Sequence, residues 1–138
     1  MSNSQWNGVV NMGQYWVIVN EDKEEYLNPD VFGDGLKLME FSVNQCSTMT
    51  GLALLLADGE ANGRGGGDFH QDSGKVVGRW FGDRIKIVGD YGDDNLWNEA
   101  QDSFNDISKM VLDEIKKDDY VSEVRNSLYG YRELKEDK

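Results

Sequence analysis

Residues 63–91, GRGGGDFHQDSGKVVGRWFGDRIKIVGDY, join a glycine-rich run to the clearest strand pattern in the chain. β-Branched and aromatic residues stand on both sides of Gly82 and Asp83, a dipeptide that favours a tight turn. This pattern predicts a central β-hairpin, with its first strand at 76–80 and its second at 85–88. The hairpin would supply half of a small sheet.

Charge sets the same stretch apart. The whole chain has a formal net charge of -12, yet residues 64–86 contain five bases and three acids. Side chains alternate along a strand, so Ile85 and Ile87 should share one face, and Arg84 and Lys86 the other. The stretch is therefore predicted to form a local positive patch in an acidic molecule.

The glycine-rich half cannot be regular structure, because consecutive glycines lose too much backbone entropy in a helix or strand. Exposed glycine amides beside positive charge form an anion-binding nest. However, the run lacks GxxxxGK[ST], and a hairpin follows it where a phosphate loop needs a helix N-terminus. The predicted ligand-binding residues are Gly63, Arg64, Gly65, Gly66, Gly67, Asp68, His70, Arg79 and Arg84. The alternative is a mobile loop beside an ordinary hairpin.

The composition is that of one folded domain. The chain has 138 residues, of which 38% are apolar and 11% aromatic, enough to build a core without disulfides. The one cysteine, Cys46, excludes an internal disulfide and fits a reducing compartment. With no run of 18 apolar residues and no signal-peptide pattern, we expect a cytoplasmic protein that does not enter membranes. We expect a flexible lead-in at 1–11, a single domain at 12–130 and a frayed tail at 131–138.

The remaining elements follow from hydrophobic spacing and capping residues. The segment QYWVIVN, 14–20, predicts a strand that pairs with a short return at 26–27. The segment LKLMEFSV, 36–43, favours a strand, with a short helix as the alternative. Helices are predicted at 49–57, 95–117 and 118–130. The result is an α+β fold in which a small, mainly antiparallel sheet packs against two or three helices.

Two groups of acidic residues are weaker candidates for a metal-binding or catalytic site. Asp68, His70 and Asp72 alternate along the chain, so an extended segment would point all three the same way, towards a metal ion or as an acid–base pair. A solvated polar loop is the simpler interpretation. The acidic residues at 90–94 do not match the spacing of a calcium loop, and capping of the next helix explains at least one of them without an ion. We predict no metal and no cofactor.

Catalysis by a nucleophile has little support, because neither GxSxG nor CxxC occurs. The sequence leaves open whether the protein is an enzyme. A pI near 4.4 argues against direct contact with nucleic-acid phosphates. It is compatible with a basic protein partner, including a nucleic-acid-binding enzyme that is blocked by mimicry, or with solubility alone.

Several segments resemble a family of small bacterial and phage-associated proteins whose members begin near Met12. They are MGQYWVIVNEDKEEYL, FGDGLKLMEF, TMTGLALLLADG, GRGGGD and VVGRWFGDRIKIVGDY. The similarity covers roughly residues 12–91, and the residues before Met12 depart from it. The family has no assigned activity, so the resemblance implies kinship without chemistry.

Two functions are therefore expected. The first is a non-catalytic cytoplasmic binding protein that acts on a macromolecular partner, as an inhibitor or immunity protein in conflict between bacteria and phages. The alternative is a small-molecule binder or enzyme that holds a phosphate-bearing ligand or nucleotide at the glycine-rich loop.

Overall fold

A computed structural model describes residues 14–44, 47–59, 69, 74–92 and 95–118. These residues form a small α+β fold, as predicted, with a four-stranded mixed sheet and four α-helices. The strands are β1 Trp16–Asn20, β2 Glu25–Leu27, β3 Ile85–Gly89 and β4 Asn105–Asp106. The α-helices are α1 Leu38–Ser42, α2 Thr48–Leu56, α3 Leu96–Ser103 and α4 Ser108–Lys116, and Pro29–Phe32 forms a 3₁₀ helix.

The sheet has the strand order β3-β1-β2-β4. β1 pairs antiparallel with both β2 and β3, while the short β4 pairs parallel with β2. The N-terminal hairpin is confirmed, because β1 and β2 are joined by the turn 21–24, in which Glu24 has a φ of 58°. β3 and β4 are the two edge strands.

Apolar side chains are buried on both faces of the sheet. Ile18 points from β1 into a core shared with α1, α2 and α4, and the fully buried Trp80 lies in that core. Val17 and Val19 point to the other face and pack against α3. The alternation of β1 thus assigns each helix to a layer.

The predicted central hairpin is wrong in its first half. Residues 74–83 form turns, and β1 takes the place of the expected partner of β3. The amides of Gly78 and Trp80 donate to the carbonyls of Leu54 and Leu55, at 3.0 and 2.9 Å, so this segment is fixed to the end of α2. Its β-branched and aromatic residues reflect burial in the core, and not strand pairing.

The strand predicted at 36–43 is also wrong, and the alternative, a short helix, is observed as α1. Glu40 explains the preference. Its Oε1 accepts a hydrogen bond from the amide of Lys37 at 3.1 Å, which stabilises the first turn.

The long helix predicted at 95–117 is two helices, α3 and α4, separated by β4. The amide of Asn105 donates to Glu24 O at 2.9 Å, and that of Ile107 donates to Tyr26 O at 3.1 Å. The apolar residues of the predicted helix do recur at helical spacing, but those in its first half and those in its second half pack in different cores. Ala100 packs on one face of the sheet and Val111 on the other, which one straight helix could not achieve.

The predicted helix at 49–57 is confirmed with its bounds shifted by one residue. Its first turn is capped by Asp34, whose Oδ2 accepts from the amide and hydroxyl of Thr48 at 3.0 and 2.5 Å. Leu56 is exposed, so one side of the helix faces solvent.

Several predictions concern residues outside the described ranges. They are the lead-in at 1–11, Cys46, the last helix from residue 119 onwards and the tail at 131–138. In the part of the chain that the structure describes, no helix is long and apolar enough to span a membrane.

Candidate functional site

Only some residues of the predicted ligand site lie in the part of the chain that the structure describes. Gly63, Arg64, Gly65, Gly66, Gly67, Asp68 and His70 lie outside the described ranges, as does Asp72 of the alternating acidic group. Arg79 and Arg84 are described: Arg79 binds a carboxylate at the start of β2, and Arg84 binds one in the turn between β1 and β2.

Arg79 binds Glu25, a residue of β2 that is only 6% exposed. Its Nε donates to Glu25 Oε1 at 3.0 Å, and its Nη2 donates to Oε2 at 2.6 Å. The indole Nε1 of Trp80 donates to the same Oε1 at 2.8 Å. This bidentate pair directs the Arg79 guanidinium towards the sheet.

Three further ion pairs join the same two segments. Arg84 Nη2 lies 2.9 Å from Asp22 Oδ1, whose other carboxylate oxygen accepts from the amide of Arg84 at 2.7 Å. Lys23 Nζ lies 2.6 Å from Asp83 Oδ2, and Lys86 Nζ lies 3.6 Å from Glu21 Oε2. We call residues 21–25 and 79–86 together the ion-pair cluster. It fastens the β1–β2 turn to the segment that enters β3.

Within the ion-pair cluster, hydrogen bonds lower the pKa values of Asp22, Glu25 and Asp83. Burial raises the pKa of Glu25, but the hydrogen bonds from Arg79 and Trp80 outweigh it, so the pKa lies below the ordinary value. Hydrogen bonds from Lys23 and Asn20 lower the pKa of Asp83.

The lowered pKa of Glu25 predicts a dependence of stability on pH. The ordinary value is 4.5, and a carboxyl with a lower pKa in the folded state stabilises above the unfolded-state pKa. That contribution is lost as the pH falls through the folded-state pKa. We expect the free energy of unfolding, measured with urea, to fall more steeply below about pH 4.5 in the wild type than in Glu25→Gln. Equal slopes in the two proteins would contradict the assignment.

The positive patch predicted from the sequence is thus largely neutralised within the described residues. Arg79, Arg84 and Lys86 each pair with a carboxylate from 21–25. The segment EDKEE, 21–25, has the composition of a charged turn, and nothing in its local sequence identifies its acidic residues as the partners. The sequence does contain one indication of this pairing, because Lys23 is surrounded by acidic residues and its partner Asp83 by basic ones.

A second feature is the outer edge of β3. A groove of about 380 Å³ lies there, lined by Gln14, Trp16, Lys86, Ile87, Val88, Gly89 and Gly92. The Ile87 side chain is 40% exposed. The sequence indicated the strand, but it did not place it at the edge.

A third feature is an acidic surface that begins after β3. Residues 87–108 contain six acids and no Lys, Arg or His. Glu99 and Asp102 lie one turn apart on α3, and both are exposed, as are Asp90 and Asp106. Asp90 Oδ1 accepts from the amide of Tyr15 at 3.0 Å, a structural role that the sequence did not suggest. Within the described ranges, no three His, Cys, Asp or Glu side chains are grouped to hold a metal ion.

No protein-family model, curated protein or solved structure matches the chain. Its function must therefore follow from the chemistry of its own residues.

Proposed function

We propose that the protein is a non-catalytic binding protein whose acidic surface engages a basic region of a protein partner. The supporting observation is the uninterrupted acidity of residues 87–108. On α3, the carboxylates of Glu99 and Asp102 project from exposed positions. Within the described ranges, neither forms an ion pair, whereas six basic side chains elsewhere are paired with carboxylates.

The partner that suits this surface carries clustered Lys and Arg side chains. Complementary charge of this kind accelerates association and excludes like-charged partners. A nucleic-acid-binding enzyme presents such a surface where it contacts phosphates. Together with the resemblance to small bacterial and phage-associated proteins, this favours an inhibitor or immunity role in the cytoplasm.

The double variant Glu99→Lys with Asp102→Lys tests the proposal. We expect it to weaken partner binding by about 10- to 100-fold, mainly through slower association. The partner would be captured from bacterial lysate at low salt, identified, and then measured as a purified protein by surface plasmon resonance. Rising salt should weaken the wild-type complex, since both charged surfaces become screened.

The matched control is Glu24→Lys with Asp30→Lys. These two residues are also exposed, and each substitution changes the charge by two, so both double variants carry -8. If the two double variants weaken binding equally, net charge is responsible and the α3 surface is not. If no stoichiometric partner is captured, the proposal fails.

The alternative, a phosphate-bearing ligand held by residues 63–68 together with His70, Arg79 and Arg84, stays a prediction. Its two described members, Arg79 and Arg84, already bind Glu25 and Asp22. A rise in melting temperature with any member of a nucleotide panel would favour this alternative over the acidic-surface proposal.

A further inference from the structure

The face of the sheet that packs against α1, α2 and α4 is incompletely covered at β3. Ile18 of β1 and Ile87 of β3 lie opposite one another in the antiparallel pair, so their side chains point to the same face. Ile18 is fully buried in the core, whereas Ile87 stays 40% exposed. Within the described residues, the helical layer therefore ends before it reaches this edge strand.

The uncovered area forms the floor of the groove at β3. Trp16 shares the face of Ile18 by alternation along β1, and it is only partly buried against the core. The Gln14 side chain packs over Gly89 and fills that end of the groove. The part that stays open lies over Trp16 and Ile87, which are both apolar.

The chain itself supplies a segment at this place. Gln14 is the first described residue and lines the groove, so residues 1–13 join the chain at the wall of the groove. Residues 1–13 contain no Asp, Glu, Lys or Arg. An uncharged segment can cover apolar side chains without removing an ion from water.

Residues 6–12, WNGVVNM, have the alternation of a half-buried extended segment. In an extended chain the even-numbered residues share one face, and three of these four are large and apolar: Trp6, Gly8, Val10 and Met12. The opposite face carries two polar amides, Asn7 and Asn11, beside Val9. The segment can therefore direct one apolar face at the groove and a mainly polar face at water.

The spacing of these side chains matches the groove. Gly13 permits the chain to reverse directly before Gln14, because glycine readily adopts a positive φ. Extended residues rise about 3.3 Å each, so equal numbers of residues on the two sides of a reversal cover equal distances. Two residues back, Met12 comes level with Trp16. Four residues back, Val10 comes level with Ile87.

Other occupants suit the groove less well. Residues 119–138 contain nine charged side chains, and residues 60–68 contain no aliphatic side chain larger than alanine. A second copy of the chain would bring a further net charge of -12 to the contact. Only residues 1–13 combine an uncharged composition with attachment at the groove.

We propose that residues 6–12 run back over this groove and cover it, with Val10 on Ile87 and Met12 on Trp16. The segment predicted as a flexible lead-in is then ordered, and it closes the groove to other ligands. The inference is independent of the acidic-surface proposal, because α3 packs on the opposite face of the sheet.

Methyl NMR of the full chain tests the contact directly. We expect nuclear Overhauser effects between the Ile87 δ1 methyl group and the methyl groups of Val10. Met39, which is 66% exposed on α1, is a control and should show none to residues 1–13. In an equimolar mixture of differently labelled chains, no effect should be seen between chains. An effect between chains would identify a second copy as the occupant and overturn the proposal.

Two matched substitutions test which face of the segment is buried. Val10→Ser should lower the ratio of docked to undocked segment at least about tenfold, because burial of a valine side chain is worth at least about that factor. Val9→Ser makes the same chemical change on the other face and should leave the ratio unchanged. Equal effects of the two substitutions would contradict the proposed face.

The ratio is read from the chemical shift of the Ile87 methyl group. A triple variant, with Trp6, Val10 and Met12 each replaced by serine, gives the undocked reference, and circular dichroism checks that its fold is retained. The wild type should differ from this reference, with Val10→Ser between the two. Identical Ile87 shifts in the wild type and the triple variant would overturn the proposal, since nothing in residues 6–12 would then cover the groove.

Discussion

We expect Gly78→Ala to lower the free energy of unfolding by about 3 kcal/mol, measured by urea denaturation. Two effects combine at this position. Gly78 has a φ of 84°, where a residue with a Cβ is less stable by roughly 1–2 kcal/mol. An added Cβ would also lie 2.6 Å from Gly59 Cα and 2.7 Å from Gly59 N. Because these are backbone atoms, no rotamer change relieves the clash, and overpacking costs about 1–3 kcal/mol.

Two other glycines separate these contributions. Gly82 has nearly the same φ, 82°, but nothing lies within 4 Å of its added Cβ, so Gly82→Ala should lose only about 1 kcal/mol. Gly59→Ala meets Val77 O at 2.6 Å, which isolates the steric effect. If Gly78→Ala and Gly82→Ala are equally destabilised, the backbone contact is not tight.

This contact also bears on the glycine-rich loop. Gly59 precedes residues 60–73, and Gly78 follows them closely. The two glycines meet, and the amide of Gly78 donates to Leu54 O at the end of α2. The chain on either side of 60–73 is therefore fixed at one place, beside the end of α2.

Local patterns predicted the parts of the fold that local forces determine. The β-branched and aromatic run QYWVIVN and the charged turn after it predicted the β1–β2 hairpin, and apolar spacing predicted α2, although its cap is supplied by Asp34 from 14 residues earlier. The break between α3 and α4 was not predictable in this way. Asn105 and Asp106 leave the helix because β2 offers backbone partners about 80 residues earlier in the chain.

The candidate site could likewise be predicted only where it depends on local sequence. The sequence located the bases of residues 79–86 correctly, but their partners lie 54 to 65 positions away. The sequence shows an excess of bases in one segment and of acids in another. It does not show that the two segments are in contact. Burial of Glu25 beside Trp80 depends on tertiary packing, which local spacing does not encode.

Glu25→Ala is the second substitution with a large expected effect, a loss of about 3 kcal/mol in the free energy of unfolding. Removing the carboxylate leaves the Arg79 guanidinium and the indole N–H of the fully buried Trp80 without their acceptor. Breaking a buried ion pair costs about 3–5 kcal/mol. The Arg79 side chain remains 31% exposed and can regain some water, which places the effect at the lower end.

A matched control removes a carboxylate from an exposed pair. Asp113 binds Lys109 at 3.2 Å on the surface of α4, and Asp113→Ala should change stability by no more than about 0.5 kcal/mol. Adding Arg79→Ala to Glu25→Ala should cost less than the sum of the single variants, because the lone cation is then absent. If Glu25→Ala is no worse than Asp113→Ala, the pair contributes nothing measurable. The attachment of 79–86 to residues 21–25 would then depend on the three other ion pairs and on apolar packing around Trp80.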